Sequence, residues 1–314
     1  MIMIDSEGKL HSYRIGRLKT VLLLSSSYFI AAVFTVLVTG SLALLSEAGH
    51  TLADVGGLAL SLFAISYARK SPTPHRTYGF YRIEILASLI NSVVLVLLST
   101  YILFEAFRRI FDPPEIQSFP MMIVAAVGLV VNFIGMRLLI GYSHVQNKDR
   151  DEREVREEQE KEQNLSIKAA YLETLSDTIG AAGVIVAGII MFTIKFYLAD
   201  PMISIGLALF MIPRIWSIMK KAIHILMEGS PSDISHEEVK QSILQIRGVT
   251  GVFELHIWTI TSGMHALSAH VVVIDQRKSH TILQDINAIL ERRFKITHAT
   301  IQIEGYHSEE SGRF

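Results

Sequence analysis

The chain contains no cysteine among its 314 residues. This absence excludes disulfide bonds and thiolate metal ligands together, so any transition-metal site must use imidazole and carboxylate groups. Charged residues are also scarce, because Asp, Glu, Lys and Arg make up 19% of the chain while hydrophobic residues make up 50%. This composition is too apolar for a soluble globular protein of this length, and it indicates a protein that crosses a membrane several times.

The sequence also lacks the motifs of several common enzyme classes. It contains no glycine-rich phosphate loop, no nucleophile elbow and no metalloprotease helix. We therefore expect a protein that is not an enzyme, that has no resident cofactor and that has no nucleic-acid partner.

Apolar stretches near or above the ~20 residues that a bilayer-spanning helix needs recur along the first part of the chain. They predict six transmembrane helices, at Val21–Val38, Leu42–Tyr67, Ile83–Phe107, Met121–Ile140, Ile167–Ile194 and Met202–Met219. A basic leader, residues 1–20, precedes the first stretch, and no small-residue cleavage site follows it. The first stretch is therefore predicted to be an uncleaved helix and not a secretory signal.

Basic residues are distributed unevenly among the predicted loops. The leader, the second and fourth loops and the segment after the sixth stretch contain most of the lysines and arginines, and the first loop contains none. By the positive-inside rule, both termini are predicted to be cytoplasmic. We expect a multi-pass protein of the plasma membrane.

The composition changes at residues 227–233, where the sequence reads MEGSPSD. A capping box at Ser235–Glu238 predicts a helix that extends to about Ile246. Two alternating runs, a helix around Thr281–Phe294 and a final strand follow. This order predicts a C-terminal α+β domain of the α-β-β-α-β type with a three-stranded sheet. The predicted division is a leader at 1–20, a transmembrane domain of six helices at 21–226 and a cytoplasmic domain at 227–314.

Two pairs of metal-ligand side chains lie four residues apart within apolar stretches: His50 with Asp54, and Glu173 with Asp177. Residues at this spacing lie on one helix face, about one turn apart. Ionisable groups at membrane depth are costly unless they are paired, hydrated or bound to an ion. These four residues therefore predict an ion site with four ligands between two helices.

Motifs along nearly the whole chain after residue 20 carry a family resemblance. They include SLALLSEAGHTLAD, FEAFRRIFDPP, AAYLETLSDTIGAAGVIVAGIIM, ADPMISIGLALFMI, HILMEGSP and LHIWTITSG. Together they resemble the cation diffusion facilitators, a family of exporters of zinc and related divalent metals. The resemblance implies six membrane helices, a metallochaperone-like cytoplasmic domain, a homodimer in the lipid bilayer, and exchange of metal for protons by alternating access.

The zinc-type pattern of that family has histidine at the position of Glu173. One imidazole and three carboxylates still form a four-ligand site, but carboxylate shifts the preference toward manganese and other hard ions. Zinc is the expected cargo, and manganese, cobalt, cadmium and iron are alternatives. A second interpretation is that Glu173 faces a water-filled cavity without binding the ion.

Proton exchange follows from the same residues, because a metal binds neutral imidazole and ionised carboxylate, so that protonation expels it. The ordinary pKa of imidazole is about 6.5. We expect His50 to be the main proton exchanger and Glu173 to be a second candidate. Glu47, one turn before His50 on the same face, either receives ions that leave the site or is a solvated acid at a helix end.

The cytoplasmic domain has part of the regulatory metal site that the resemblance implies. His270, His280 and Glu304 fall where family members place regulatory ligands, whereas Phe253 and Gln302 stand where some members have histidine. We therefore expect weak metal binding by this domain.

Two other functions are compatible with the sequence. The first is an antiporter of sodium or potassium against protons on the same fold, which the carboxylate-rich site favours. The second is a membrane-anchored metal sensor, which predicts inert polar residues in the membrane; the cost of such residues argues against it. Counterflow with a panel of ions distinguishes the three functions.

Overall fold

The structure is a computed structural model that describes residues 3–67, 74–75, 77–143, 176–261 and 263–305. The chain divides into two compact units. The membrane unit comprises residues 1–66 and 90–218, and the C-terminal unit comprises residues 67–89 and 219–314.

Long helices make up the membrane unit. Their bounds are α1 Met3–Thr39, α2 Leu42–Tyr67, α3 Arg82–Phe111, α4 Ser118–Ser143 and α6 Ala199–Leu226, and α5 is described from Ser176 to Ile194. α3 and α6 each extend into the C-terminal unit at one end.

The predicted multi-pass membrane fold is confirmed. Among the described residues, five helical segments are long and apolar enough to cross a bilayer: Leu18–Thr39, Arg82–Phe111, Ser118–Gly135, Ser176–Ile194 and Ala199–Leu226. α2 has the same bounds as the predicted second span, Leu42–Tyr67. It contains three ionisable residues, Glu47, His50 and Asp54.

α1 begins earlier than its apolar stretch, which starts at Val21. The helix extends back to Met3 through the basic leader. No proline precedes Pro72, and lysine, arginine and leucine are good helix formers, so nothing in the leader stops the helix. α3, in contrast, ends at Phe111. Pro113 and Pro114 follow shortly after, and a proline disfavours the helical conformation in the residue that precedes it.

The outer surface of these helices is apolar. Leu37 is 79% exposed, Phe104 is 68% exposed and Phe111 is 75% exposed. Large apolar side chains exposed in such numbers mark a surface that another apolar medium covers, which for helices of this length is the bilayer.

Small residues form much of the interior of the membrane unit. Ala43 of α2, Ala125 of α4 and Ala187 of α5 are fully buried, together with Met121 and Met191. Small side chains let helix backbones approach closely, which is the usual basis of helix packing in membranes. α2, α4 and α5 therefore share a buried cluster of mostly small and apolar side chains near the beginning of α2.

The C-terminal unit has the predicted α-β-β-α-β order. Its elements are α7 His236–Leu244, β1 Val249–Thr261, β2 Met264–Val273, a 3₁₀ turn at Gln276–Lys278, α8 Ser279–Phe294 and β3 His298–Gly305. The sheet order is β1-β2-β3; β1 is antiparallel to β2, and β2 is parallel to β3. α8 is therefore the crossover helix between the two parallel strands.

Both helices of this unit pack on one face of the sheet. Ile243 of α7 and Ile286 and Leu290 of α8 are fully buried with Leu267 and Val271 of β2. The predicted cap of α7 is present, since the Ser235 side chain accepts a hydrogen bond from the Glu238 backbone N–H at 3.3 Å. A separate apolar core thus holds this unit together.

The beginning of α3 belongs to the C-terminal unit. Arg82 forms an ion pair with Glu228 at 2.7 Å, and the Thr261 hydroxyl of β1 donates to the Glu84 carboxylate at 2.7 Å. These polar contacts connect α3 to the segment after α6 and to the sheet.

Candidate metal site in the membrane unit

His50 of α2 lies where α2 crosses α5. Its Nε2 atom is in hydrogen-bonding contact with Oδ1 of Asp177 on α5. The same nitrogen lies 3.9 Å from Oδ2 of Asp54, one turn further along α2. One imidazole therefore faces two carboxylates from two helices.

These three side chains offer ligand atoms that all lie within 4.8 Å of one another. In the part of the chain that the structure describes, no other group of three or more histidines and acids does so. His50 and Asp177 are each 8% exposed, and Asp54 is partly exposed. Glu173, the fourth predicted ligand, lies outside the described residues.

α2 and α5 run in opposite directions at this site. His50 pairs with Asp177, and one turn away Glu47 lies against Gly180. A Cβ atom at position 180 would lie 2.5 Å from Glu47 Oε2, so glycine at that position allows the close approach of the two helices. The crossing of α2 and α5 thus depends on a residue without a side chain.

Arg214 of α6 is a third charged group at the site. Its guanidinium lies 3.5 Å from Oδ1 of Asp54. Arg214 is not among the residues predicted from the sequence, although an arginine inside an apolar stretch is a signal that could have found it. Asp54 therefore faces both the imidazole and a fixed positive charge.

Asp200, in the first turn of α6, fixes the beginning of α2. Its carboxylate accepts hydrogen bonds from the Ser41 hydroxyl at 2.6 Å and from the backbone N–H groups of Leu42 and Ala43 at 2.8 and 3.1 Å. The first N–H groups of a helix have no partner within the helix, and negative charge there is favourable. Asp200 is fully buried and was also not selected from the sequence.

Arg109 of α3 contacts the turn between α1 and α2. It donates to the Gly40 carbonyl oxygen at 2.5 Å and forms an ion pair with Glu105 at 3.0 Å. Gly40 has φ +71°, a left-handed conformation that glycine adopts without strain. The end of α2 that precedes the site is thus held by charged groups of α3 and α6.

The predicted regulatory residues of the C-terminal unit are only partly brought together. His270 Nδ1 lies 2.7 Å from Glu304, and His270 Nε2 lies 3.4 Å from Glu254. His280 instead lies 3.2 Å from Gln284 in its own helix. Glu254 was missed by the sequence analysis; it adopts φ +47° where the pairing of β1 with β2 is irregular, a feature that an alternating strand pattern does not reveal.

A buried site of one imidazole and two carboxylates suits a divalent cation. The ligands offer one neutral nitrogen and two negative charges when they are deprotonated, and borderline metals accept both donor types. Binding of a metal to imidazole and carboxylate requires these groups to be deprotonated.

Comparison with known protein families identifies the family of this chain. The family model described as "Cation efflux transmembrane domain" matches residues 18–227, about two thirds of the sequence. The chain belongs to the cation efflux family, the cation diffusion facilitators. A second model, "Cation efflux protein, cytoplasmic domain", matches residues 231–306. The family resemblance drawn from the motifs is confirmed.

Curated relatives match over nearly the full length of the chain. A "Cadmium, cobalt and zinc/H(+)-K(+) antiporter" of Bacillus subtilis is 37% identical over 94% of this chain and 91% of its own. The "Metal cation efflux system protein CzcD" of Cupriavidus metallidurans is 38% identical over 91% of this chain and 85% of its own. The "Zinc transporter ZitB" of Escherichia coli is 32% identical over 85% of this chain and 80% of its own.

A solved structure also matches the sequence. It is the metal-bound C-terminal domain of the CzcD transporter from Cupriavidus metallidurans, with 38% identity over 23% of this chain and 99% of that domain, and with a TM-score of 0.21.

Proposed function

We propose that this protein exports divalent metal ions from the cytoplasm in exchange for protons, with zinc as the main cargo. The observation that carries the proposal is the group formed by His50, Asp54 and Asp177 within the membrane unit. Family membership and the names of the relatives, which specify cadmium, cobalt and zinc, support the same function.

The ligand chemistry supports a transition metal over an alkali cation. Imidazole is a ligand of zinc, cobalt and related ions, whereas sodium and potassium are bound by oxygen atoms. His50 makes direct contact with Asp177, so an ion at this position meets nitrogen and oxygen donors together.

Glu173 is proposed as the fourth ligand. The support is its spacing of four residues from Asp177, which matches the spacing of His50 and Asp54. A carboxylate here makes the site more negative than the zinc-type pattern does, so transport of manganese alongside zinc is expected.

Proton exchange is supported by competition at shared ligands. Bound metal requires His50 and its carboxylate neighbours to be deprotonated, and protons arriving from the opposite side displace it. The positive-inside pattern of the loops supports cytoplasmic termini, so metal is proposed to leave toward the side on which α1 ends and α2 begins. The membrane is proposed to be the plasma membrane.

The C-terminal unit is proposed to act in dimerisation and regulation. The pair of His270 with Glu304, together with Glu254, is a weak metal site, and its occupation favours the approach of two copies. His280 becomes a ligand of this site only if metal binding moves α8 so that His280 approaches His270.

Transport into sealed proteoliposomes tests the proposal. With a pH gradient imposed, the parental protein should accumulate Zn²⁺, and Asp54→Asn and Asp177→Asn should abolish accumulation. Asp112→Asn, an exposed acid between α3 and α4, is the matched control and should transport at the parental rate. Zinc transport that persists in Asp177→Asn would refute the site.

A second candidate is transport of sodium or potassium against protons. The Bacillus subtilis relative has potassium in its name, and three of the four proposed ligands are carboxylates. The same vesicles loaded with K⁺ or Na⁺ and free of divalent metal distinguish the two functions: proton movement under these conditions would favour the second.

A further inference from the structure

Three buried polar atoms have no hydrogen-bond partner in the part of the chain that the structure describes. They are the hydroxyl oxygens of Tyr28 and Ser46 and Oε1 of Glu47. All three residues are at most 3% exposed. Buried polar atoms are paired in the great majority of cases, so three of them in one region need a physical explanation.

The three residues lie on α1 and α2 close to the metal site. Ser46 and Glu47 precede His50 by four and three residues, so they lie one turn away from it on the same face of α2. Tyr28 of α1 packs in a buried cluster with Ala48, the residue that follows Glu47.

Two glycines make room for the polar ends of these side chains. A Cβ at Gly128 of α4 would overlap the Tyr28 hydroxyl, and a Cβ at Gly180 of α5 would lie 2.5 Å from Glu47 Oε2. Backbones of two further helices thus approach the hydroxyl and the carboxylate. The region is enclosed by four helices, and Glu47 is therefore not an exposed acid at a helix end.

We infer that Glu47, Tyr28 and Ser46 form a second cation station, through which a partly hydrated divalent metal ion leaves the His50 site. This inference rests on the proposed function. The station offers one carboxylate and two hydroxyl oxygens, and no nitrogen. Such a donor set retains water on the ion and binds zinc less tightly than a site that contains imidazole.

The position of the station agrees with an exit. Glu47 lies between His50 and the beginning of α2, on the side of the membrane where α1 ends, which the positive-inside pattern makes the non-cytoplasmic side. An ion that moves on from a strong site needs a weaker site beyond it, because binding must be weak enough there for release. The order of ligands along α2 therefore runs from strong binding to weak binding in the direction of export.

The test is transport of Zn²⁺ by the full-length protein in proteoliposomes, with Glu47→Gln as the main variant. The maximal rate should fall about tenfold while the KM for zinc on the entry side stays within about twofold, since the entry site is unchanged. Zinc added on the exit side should inhibit the parental protein, and this inhibition should be lost in Glu47→Gln.

A second variant moves the carboxylate without removing it. Gly180→Ala places a methyl group against Glu47 Oε2 and should lower the maximal rate and weaken exit-side inhibition together. Glu115→Gln, an exposed acid before α4, is the matched control and should match the parental protein in both measurements. Size-exclusion chromatography and thermal unfolding confirm that each variant is folded.

Three results would overturn the inference. The first is a parental transport rate in Glu47→Gln, and the second is retention of exit-side inhibition in that variant. The third is a loss of equilibrium zinc binding in Glu47→Gln as large as the loss in Asp177→Asn, which would make Glu47 a ligand of the first site. Failure of the proposed function gives a different result, because the parental protein itself would then transport no zinc.

Discussion

The guanidinium of Arg214 lies 3.5 Å from the carboxylate of Asp54, although 160 residues separate them in the sequence. A metal ion that binds Asp54 must compete with this positive charge, which approaches it from α6. At the proposed metal site, the arginine therefore balances part of the negative charge of the carboxylates, and it is expected to lower the affinity for metal.

Arg214→Gln should raise the affinity for Zn²⁺. The expected gain is about two- to fivefold, the range for a partly exposed ion pair. Equilibrium binding of zinc to the detergent-solubilised protein measures it. Arg214→Lys retains the charge and serves as the control with near-parental affinity. A lower affinity in Arg214→Gln would show that the arginine supports the site instead of competing with the metal.

Asp200→Ala should destabilise the membrane unit, because it leaves the Leu42 and Ala43 N–H groups and the Ser41 hydroxyl without their buried acceptor. A loss of about 2–4 kcal/mol in the free energy of unfolding is expected for a carboxylate that caps a helix and accepts several bonds. Thermal unfolding in detergent measures the loss. Ser204→Ala, whose hydroxyl donates only to the Asp200 backbone oxygen, should lose less than about 1.5 kcal/mol. Equal losses in the two variants would contradict the capping role.

Glu173→His should raise the selectivity for zinc over manganese, because the substitution produces a set of two imidazoles and two carboxylates. The ratio of transport rates for the two metals in the same vesicles is the measurement. Glu173→Gln is the control that removes the charge without adding a nitrogen ligand. An unchanged ratio in Glu173→His would show that position 173 does not coordinate the ion.

His50→Ala should weaken the dependence of zinc transport on pH. Protons compete with metal for His50, so the affinity of the parental protein for zinc should fall as the pH is lowered. Zinc binding measured at several pH values should show a smaller slope in the variant. An equal slope in both proteins would assign the competing proton to the carboxylates.

Deletion of the residues after Glu228 should lower the transport rate and the dimer fraction while leaving the choice of metal unchanged. The reason is that the proposed selectivity ligands all lie in the membrane unit, whereas the C-terminal unit has its own apolar core. Transport of zinc, cobalt and manganese by the truncated protein, together with its mass in detergent, tests this division. A change in the order of preferred metals would refute it.

Local signals in the sequence were sufficient for several features. The bounds of α2 follow from its apolar residues, the N-cap of α7 from Ser235, and the juxtaposition of His50 and Asp54 from their spacing. Each of these depends on residues within a few turns of one another, where helix and strand periodicity determines the geometry.

Contacts between distant helices could not be predicted in the same way. The contacts of Arg214 with Asp54 and of Asp200 with the start of α2 arise from the packing of α6 beside α2, which no local pattern encodes. Glu254 approaches His270 only because β1 is irregular at that position. Polar residues within apolar stretches identify candidates, but only the packing shows their partners.

The cap that Asp200 provides has a consequence for the alternating access that the family resemblance implies. Three hydrogen bonds join the first turns of α2 and α6, and the ion pair of Arg214 with Asp54 connects the same two helices at a second point. His50 and Asp54 would therefore move together with α6, whereas Asp177 belongs to α5. A rotation of α2 and α6 relative to α5 would separate His50 from Asp177 while Asp54 and Arg214 stay together, and this separation would open the ligand set.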